Sequence, residues 1–247
     1  MSYSITEAQM FDYMKCPVYY RIKYGDNKIS VTNKKTVNSL LGQVVSSFCL
    51  QLMDEKLMTP NELKRNWDIL CKYNQDTVDT KANMKGASML LTFYRWAEAR
   101  ELRVVDCFSE YAMTFGIGSK NNIHIRGDIG IIVCNKNGEF EKLIVDFSQA
   151  QPDQTKLDSD LKTSIDSVAF YSIYHKELVG TTLYHVKTNK EYYTIRDPRT
   201  EAKRVAHIAY NIAKAINTNV WYPAESALCS NTCNVKDFCR MWGISIM

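Results

Sequence analysis

Apolar residues recur at helical spacing through the first hundred positions of the chain. One such stripe runs from about Val37 to Met53, a second from Pro60 to about Tyr73, and a third from about Met84 to Ala99. Apolar residues repeated every three or four positions are typical of a helix with one buried face. This pattern therefore predicts that the first part of the chain is helical.

Two local signals refine the helical part. Ser4-Ile5-Thr6-Glu7 has the form of a capping box, so we expect the first helix to begin there. We expect a break at Cys16-Pro17, because proline disfavours helical backbone in the residue before it. Gly42 lies inside the predicted helix from Val37 to Met53, where a glycine lowers helix stability by about 1 kcal/mol relative to alanine. It therefore predicts a close approach by another backbone.

From Arg103 onward the pattern changes to short runs of β-branched and aromatic residues. These runs predict strands over Val104–Phe115, Ile123–Cys134, Leu143–Phe147, Thr181–Val186 and Tyr192–Ile195. The segments around the later runs predict a loop over Gln151–Ser159, a helix from about Leu161 to Leu178 ended by Gly180, and a last helix that begins at Asp197-Pro198. This order predicts an α/β fold with a central mixed sheet flanked by helices and an N-terminal helical layer.

Two of the strand runs form a predicted hairpin. Ile129–Cys134 and Lys142–Phe147 flank a turn at Asn135–Gly138. Asp128 stands at the start of the first run and Asp146 at the end of the second, and antiparallel pairing brings those two ends together. Two carboxylates at one end of a hairpin suit a divalent metal such as Mg²⁺ or Mn²⁺. An alternative is that both aspartates are strand-end residues facing water.

The composition sets mild limits on function. The chain has 247 residues, enough for one large domain, and its net charge of +4 is too small to prove a nucleic-acid partner, although clustered charge would suit one. The N-terminal residues lack the pattern of a secretion signal, and no segment approaches about 18 consecutive apolar residues. We therefore expect a soluble cytoplasmic protein. Abundant lysine, asparagine and tyrosine suggest an AT-rich phage or bacterial genome.

The cysteines point to a metal-binding site. Cys229, Cys233 and Cys239 lie in one eleven-residue segment that follows Pro223, and Cys16 is the best candidate for a fourth ligand. Four thiolates suit an iron–sulfur cluster or zinc, and without a secretion signal disulfides are not expected. A chain end that merely carries thiols is the alternative interpretation.

Taken together, these motifs resemble the PD-(D/E)XK nuclease superfamily, specifically the RecB-like branch that includes the CRISPR-associated exonucleases and the nuclease domain of AddB. Cys16-Pro17 and the three C-terminal cysteines match the thiols that hold a [4Fe-4S] cluster in that branch. Gly127-Asp128 and Val145-Asp146 match its catalytic carboxylates, and Glu110 stands where an upstream acidic residue is common. The resemblance covers nearly the whole chain.

We expect the chain to have three parts that together form one compact domain. Residues 1–102 would form a helical region with the first cluster cysteine, residues 103–220 the nuclease-like core, and residues 221–247 a cysteine-rich tail that packs back on the N-terminal region. DNA, single-stranded or at ends, is the implied partner, with further proteins of a larger complex and no membrane. Basic side chains near the presumed cleft are the candidate DNA contacts: Arg126, Lys142, Lys156 and Lys162.

Three positions depart from the family pattern. Ser148 replaces the lysine of Asp/Glu-x-Lys, Ser46 replaces a common histidine, and Ser167 replaces the glutamine of Gln-x-x-x-Tyr. By analogy with removing one stabiliser of a transition state, losing the lysine alone costs about 10²- to 10³-fold in rate. Lys162, on the following helix, is a candidate to replace it.

Three functions therefore remain open. The first is a nuclease-fold, iron–sulfur, DNA-binding protein with an inactive or weakened site. The second is an active Mg²⁺- or Mn²⁺-dependent DNA exonuclease of recombination, repair or phage replication. The third is a structural zinc protein without a nucleic-acid role.

Overall fold

The computed structural model describes residues 1–25, 35–224, 229, 233–235 and 239. In chain order the elements are β1 (Ser2–Thr6), α1 (Glu7–Lys15), α2 (Pro17–Tyr24), α3 (Val37–Met53), α4 (Pro60–Tyr73), α5 (Thr80–Ala99), β2 (Arg103–Cys107), β3 (Glu110–Ile117), β4 (Asn121–Asp128), β5 (Ile131–Cys134), β6 (Phe140–Asp146), α6 (Gln154–Ser159), α7 (Leu161–Tyr174), β7 (Leu178–His185), β8 (Lys190–Thr194) and α8 (Pro198–Asn217). No helix in these ranges is long and apolar enough to cross a membrane.

The chain folds into two compact units, each built from segments distant in sequence. The first comprises Met1–Lys34, Ala112–Gly127 and Lys203–Met247, and the second comprises Lys35–Tyr111 and Asp128–Ala202. The strands form two sheets, one ordered β1-β4-β3 and one ordered β2-β5-β6-β7-β8. The predicted α/β class with mixed sheets is confirmed, although one sheet was expected and the described residues form two.

In the first unit, the chain begins as a strand rather than a helix. Ser4 pairs with His124 in a parallel ladder between β1 and β4, so the predicted capping box at Ser4 is wrong. Thr6 caps α1 instead, because its hydroxyl accepts the Gln9 amide proton at 3.2 Å while the Gln9 side chain accepts the Thr6 amide proton at 2.9 Å. Cys16 separates α1 from α2, as predicted.

In the second unit, α3, α4 and α5 pack with the five-stranded sheet around one hydrophobic core. The predicted hairpin is confirmed: β5 and β6 are antiparallel, with Ile131 opposite Leu143 and Cys134 opposite Phe140. β6 then pairs in parallel with β7. Parallel pairing requires a crossover, which α6 and α7 supply.

Several predicted boundaries and glycine roles differ from the structure. The predicted loop over Gln151–Ser159 contains the short helix α6. α7 ends at Tyr174, where His175 caps it in a left-handed conformation with φ 52°, and not at Gly180. Gly180 lies inside β7, where a Cβ atom would stand 2.3 Å from the Tyr193 ring. A Cβ on Gly42 would meet nothing within 4 Å, so the close approach predicted there is wrong.

Candidate functional site

Strand register in the second unit places Glu110 and Asp128 side by side. The antiparallel pairing of β2 with β5 continues beyond β2, because the Ile129 amide donates to Ser109 O at 2.9 Å. One further step along that ladder sets Glu110 opposite Asp128. Directly opposite residues of an antiparallel pair share a face, so the two side chains leave the backbone on the same side. Both residues are exposed.

A third carboxylate, Asp146, stands at the end of β6, the strand next to β5. β5 and β6 pair from Cys134–Phe140 to Ile131–Leu143, and three further residues along each segment lead to Asp128 and Asp146. Glu110 thus begins β3, Asp128 ends β4 and Asp146 ends β6. We call Glu110, Asp128 and Asp146 the acidic edge. Within the described ranges, the side chains as placed form no group of three or more metal-ligating residues.

Ser148, at the position of the family's lysine, binds the Asp146 carboxylate. The Ser148 amide donates to Asp146 Oδ1 at 2.8 Å, and Ser148 Oγ lies 2.8 Å from Asp146 Oδ2. Ser148 Oγ also lies 2.9 Å from Ala150 O, so its one proton serves either acceptor in turn. Asp146 thus receives hydrogen bonds from a neutral residue where the family pattern has a cation.

Buried His185 fixes the segment that carries Ser148. His185 Nε2 lies 3.0 Å from Ser148 O, and its Nδ1 lies 2.8 Å from Thr188 Oγ1. A carbonyl oxygen only accepts, so Nε2 donates to Ser148 O, and in a neutral imidazole Nδ1 then accepts from the Thr188 hydroxyl. The Val186 amide also donates to Asp146 O at 3.0 Å. β7 therefore orients both Asp146 and Ser148.

Two lysines share one buried carboxylate close to Asp128. Lys142 Nζ lies 2.5 Å from Asp166 Oδ2, and Lys162 Nζ lies 2.8 Å from Asp166 Oδ1. Lys162 Nζ also donates to Asp128 O at 2.7 Å. Period-two alternation along β6 puts Lys142 on the same face as Asp146, and i,i+4 spacing along α7 aligns Lys162 with Asp166.

The other predicted site residues of the second unit differ in exposure and in hydrogen bonding. Lys142 is almost fully buried and paired, so it is not presented to a DNA backbone. Lys156 is exposed on α6. Ser46 donates to Gly42 O within α3 at 2.9 Å, and buried Ser167 donates to Arg196 O at 3.2 Å. Both serines satisfy backbone carbonyls of the second unit.

Arg126 belongs to the first unit, where it is exposed on β4 and lies opposite Thr6 in the parallel ladder. The sequence did not identify Asp166 or His185 as site residues. For Asp166 the available signal was a carboxylate within an apolar helical stripe, since it lies between buried Ile165 and Val168 on α7.

In the first unit, two of the four predicted cluster cysteines meet at one backbone position. Cys16 Sγ accepts the Ala224 amide proton at 3.5 Å, and Cys229 Sγ donates to Ala224 O at 3.7 Å. Burial raises the pKa of the Tyr19 hydroxyl on α2, the helix that begins directly after Cys16. Cys233 and Cys239 are each partly buried.

Aromatic contacts hold the start of the tail on α1 and α2. The Tyr20 and Trp221 rings stack at 5.9 Å with 13° between their planes, and Tyr13 donates to Val220 O at 2.8 Å. These contacts position residues 220–224 next to Cys16. The donor set of four thiols has the right chemistry for a cluster, and the contacts at Ala224 bring two of those thiols near each other.

Comparison with known proteins gives a family match over nearly the whole chain. A family model described as the PD-(D/E)XK nuclease superfamily matches residues 4–240. No curated protein matches the chain. Among the solved structures, 22 chains match. One, described as the crystal structure of SSO0001, is 13% identical, covers 95% of this chain and 93% of its own, and gives a TM-score of 0.37. Overlap at that level supports no inference about function.

Proposed function

Because the chain belongs to the PD-(D/E)XK nuclease superfamily, we propose that it is a DNA-binding protein of the RecB-like branch whose nuclease site is degenerate. It binds DNA, single-stranded or at ends, and cleaves it weakly or not at all. The observation that carries this proposal is the position of Ser148, which donates to Asp146 where the family pattern has a lysine. Such a protein would serve as a DNA-holding subunit of a larger cytoplasmic complex.

The chemistry explains why this position matters most. Mg²⁺ or Mn²⁺ held by the acidic edge would supply an activated water for phosphodiester hydrolysis. Asp128 and Asp146 remain to hold the ion, and Glu110 stands beside them by register. Ser148 brings no positive charge to the phosphate as negative charge develops, which costs about 10²- to 10³-fold in rate. Binding depends less on that charge than cleavage does.

A cleavage and binding assay on the same protein tests the proposal. Purified protein is incubated with end-labelled single-stranded DNA in Mn²⁺, with Asp128→Ala as the control. We expect a retarded complex in which the label stays on full-length DNA. Rapid degradation that Asp128→Ala abolishes would instead establish the active exonuclease. Failure of the wild-type protein to bind DNA would remove the proposal altogether.

An active exonuclease is the second candidate, and one contact favours it. Lys162 Nζ lies 2.7 Å from Asp128 O, so an ammonium group stands next to the acidic edge although it comes from α7. If this lysine replaces the missing one, Lys162→Met abolishes Mn²⁺-dependent cleavage while Lys72→Met, at an exposed position on α4, leaves it intact. Equal cleavage by both variants would exclude that role for Lys162.

We further propose that Cys16, Cys229, Cys233 and Cys239 hold a [4Fe-4S] cluster, with zinc as the alternative. Support comes from the two sulfur contacts at Ala224, which involve Cys16 and Cys229. A bound cluster would tie the tail to the start of α2, which makes its contribution structural. The cluster is not proposed to take part in DNA cleavage at the acidic edge.

Metal analysis of anaerobically purified protein tests this assignment. We expect iron and acid-labile sulfide, each at about four per chain, as a cubane cluster requires. Cys16→Ala should lose both, whereas Cys134→Ala, at the end of β5, should keep them. Zinc without sulfide would support the structural zinc site, and neither metal would contradict the site.

A further inference from the structure

Phe108 combines an unfavourable backbone conformation with an exposed aromatic ring. Its φ is 61°, in the left-handed region that favours glycine, and its side chain is 39% exposed. A bulky residue at positive φ costs free energy, and an exposed ring recovers little of it through burial. Glycine would satisfy the backbone at this position better than phenylalanine does.

The surrounding residues of the second unit hold Phe108 in this conformation. Its amide donates to Gly130 O at 3.4 Å. The next residue, Ser109, donates from its hydroxyl to Asp106 Oδ1 at 2.6 Å, and Tyr174 donates to Asp106 Oδ2 at 2.6 Å. Asp106 is only 3% exposed. The turn is therefore fixed from both sides, and strain maintained in this way is characteristic of functional sites.

Packing over the neighbouring glycine does not account for the ring. Gly130 lies across the ladder from Phe108, and an aromatic ring in that position can cover the space left by a glycine. The atoms within 4 Å of a Cβ built on Gly130 belong to Lys142 and Asp166 instead. The space above Gly130 is filled by the buried ion pair, and the Phe108 ring remains partly exposed.

The location of Phe108 links it to the acidic edge. Glu110 follows it by two residues, and its ladder partner Gly130 follows Asp128 by two residues. We propose that Phe108 is a stacking residue for an unpaired base of single-stranded DNA or of a frayed DNA end held at the acidic edge. This assignment rests on the proposed DNA-binding function and adds the part of the site that recognises bases.

Base stacking explains both properties of the residue. Every base offers a flat aromatic face, so an exposed ring binds single strands without reading their sequence. A ring fixed on a rigid turn loses little conformational freedom when a base stacks on it. A base within an intact duplex is already stacked on its neighbours, so the ring favours single strands and open ends.

The test compares side chains at position 108 by fluorescence anisotropy with a labelled single-stranded oligonucleotide, in Ca²⁺ so that the DNA stays intact. Truncation in Phe108→Ala should weaken binding about 5- to 100-fold, and Phe108→Trp should retain wild-type affinity. Tyr73→Ala, which removes another exposed aromatic ring at the end of α4, should bind as the wild type does. A fully paired blunt duplex should show a smaller loss than the single strand.

The Phe108→Gly variant distinguishes a loss of base stacking from a loss of fold stability. Phe108→Gly should bind as weakly as Phe108→Ala but melt at a higher temperature than it, because only glycine relieves the strain at positive φ. Glu101→Gly relieves another positive φ, of 53°, and should leave DNA affinity unchanged. Wild-type affinity in both Phe108→Ala and Phe108→Gly would overturn the stacking role and leave the proposed function standing. A wild-type protein that binds no DNA would overturn both.

Discussion

Lys142 Nζ lies 2.5 Å from Asp166 Oδ2, and neither side chain is more than 4% exposed. The pair occupies the space next to Gly130, where a Cβ would be 3.7 Å from Lys142 Cε. Lys162 contacts the other oxygen of the same carboxylate and also the backbone of Asp128. The ion pair thus links β6 and α7 to the segment from Asp128 to Gly130, which carries one residue of the acidic edge.

Removing one member of this pair should destabilise the fold. Lys142→Met leaves buried Asp166 with only its second lysine, and we expect a loss of about 3 kcal/mol in the free energy of unfolding. Urea denaturation measures it. Lys64→Met breaks an exposed ion pair of the same length, with Asp68, and should cost less than about 1 kcal/mol. Similar losses in the two variants would show that burial of the Lys142–Asp166 pair does not matter.

Two helical glycines should respond oppositely to alanine. In α5, a Cβ on Gly86 would lie 2.3 Å from the buried Trp67 ring, so Gly86→Ala should destabilise by about 1–3 kcal/mol through overpacking. In α3, a Cβ on Gly42 meets nothing within 4 Å, so Gly42→Ala should stabilise by up to about 1 kcal/mol through helix propensity. Thermal melts measure both, and shifts of the same sign would contradict the packing around Gly86.

Stability should fall at alkaline pH because of Tyr184. Its ring is fully buried and stacks on Trp96 at 4.1 Å, and its hydroxyl donates to Asn189 Oδ1 at 2.7 Å. Burial raises the pKa of Tyr184 from 10.0 to about 12, and the charge of Glu191 adds to the shift. The folded state holds the proton more tightly, so this stabilisation is complete below pH 10 and is lost as pH rises toward 12.

The loss attributable to Tyr184 should be about 2–3 kcal/mol across that interval. The free energy of unfolding measured at pH 10 and at pH 12 gives this change. Other tyrosines titrate in the same range, so the comparison is with Tyr184→Phe, which cannot ionise and should lose less stability over the interval. An identical loss in Tyr184→Phe would assign the alkaline transition to other groups.

Local patterns predicted the elements that depend on neighbouring residues. The hairpin of β5 and β6 followed from a turn at Asn135–Gly138 between two apolar runs, and α4 followed from Pro60 and a helical stripe. The strand β1 was missed because its partner β4 lies more than a hundred residues away and a capping box competes for the same residues. Ser4 therefore gave a helical signal that parallel pairing overrode.

For the candidate site, the sequence predicted the acidic positions but not the contacts that surround them in the structure. Asp128 and Asp146 could be expected at one end of a hairpin because the register of a short turn is local. The pairing of Lys142 with Asp166 depends on how α7 packs on β6, which no spacing along the chain reveals. The positive φ of Phe108 likewise arises from contacts to Gly130 and Asp106 and carries no signal in its residue type.

Restoring a lysine at position 148 is the most direct test of a degenerate nuclease site. If Ser148 is what limits catalysis, Ser148→Lys should raise Mn²⁺-dependent cleavage of end-labelled single-stranded DNA by about 10²- to 10³-fold over wild type. Ser148→Met provides similar length without charge and should not raise it, and Ser148→Lys combined with Asp128→Ala should be inactive. A Ser148→Lys protein that folds and binds DNA but cleaves no faster than Ser148→Met would contradict the assignment.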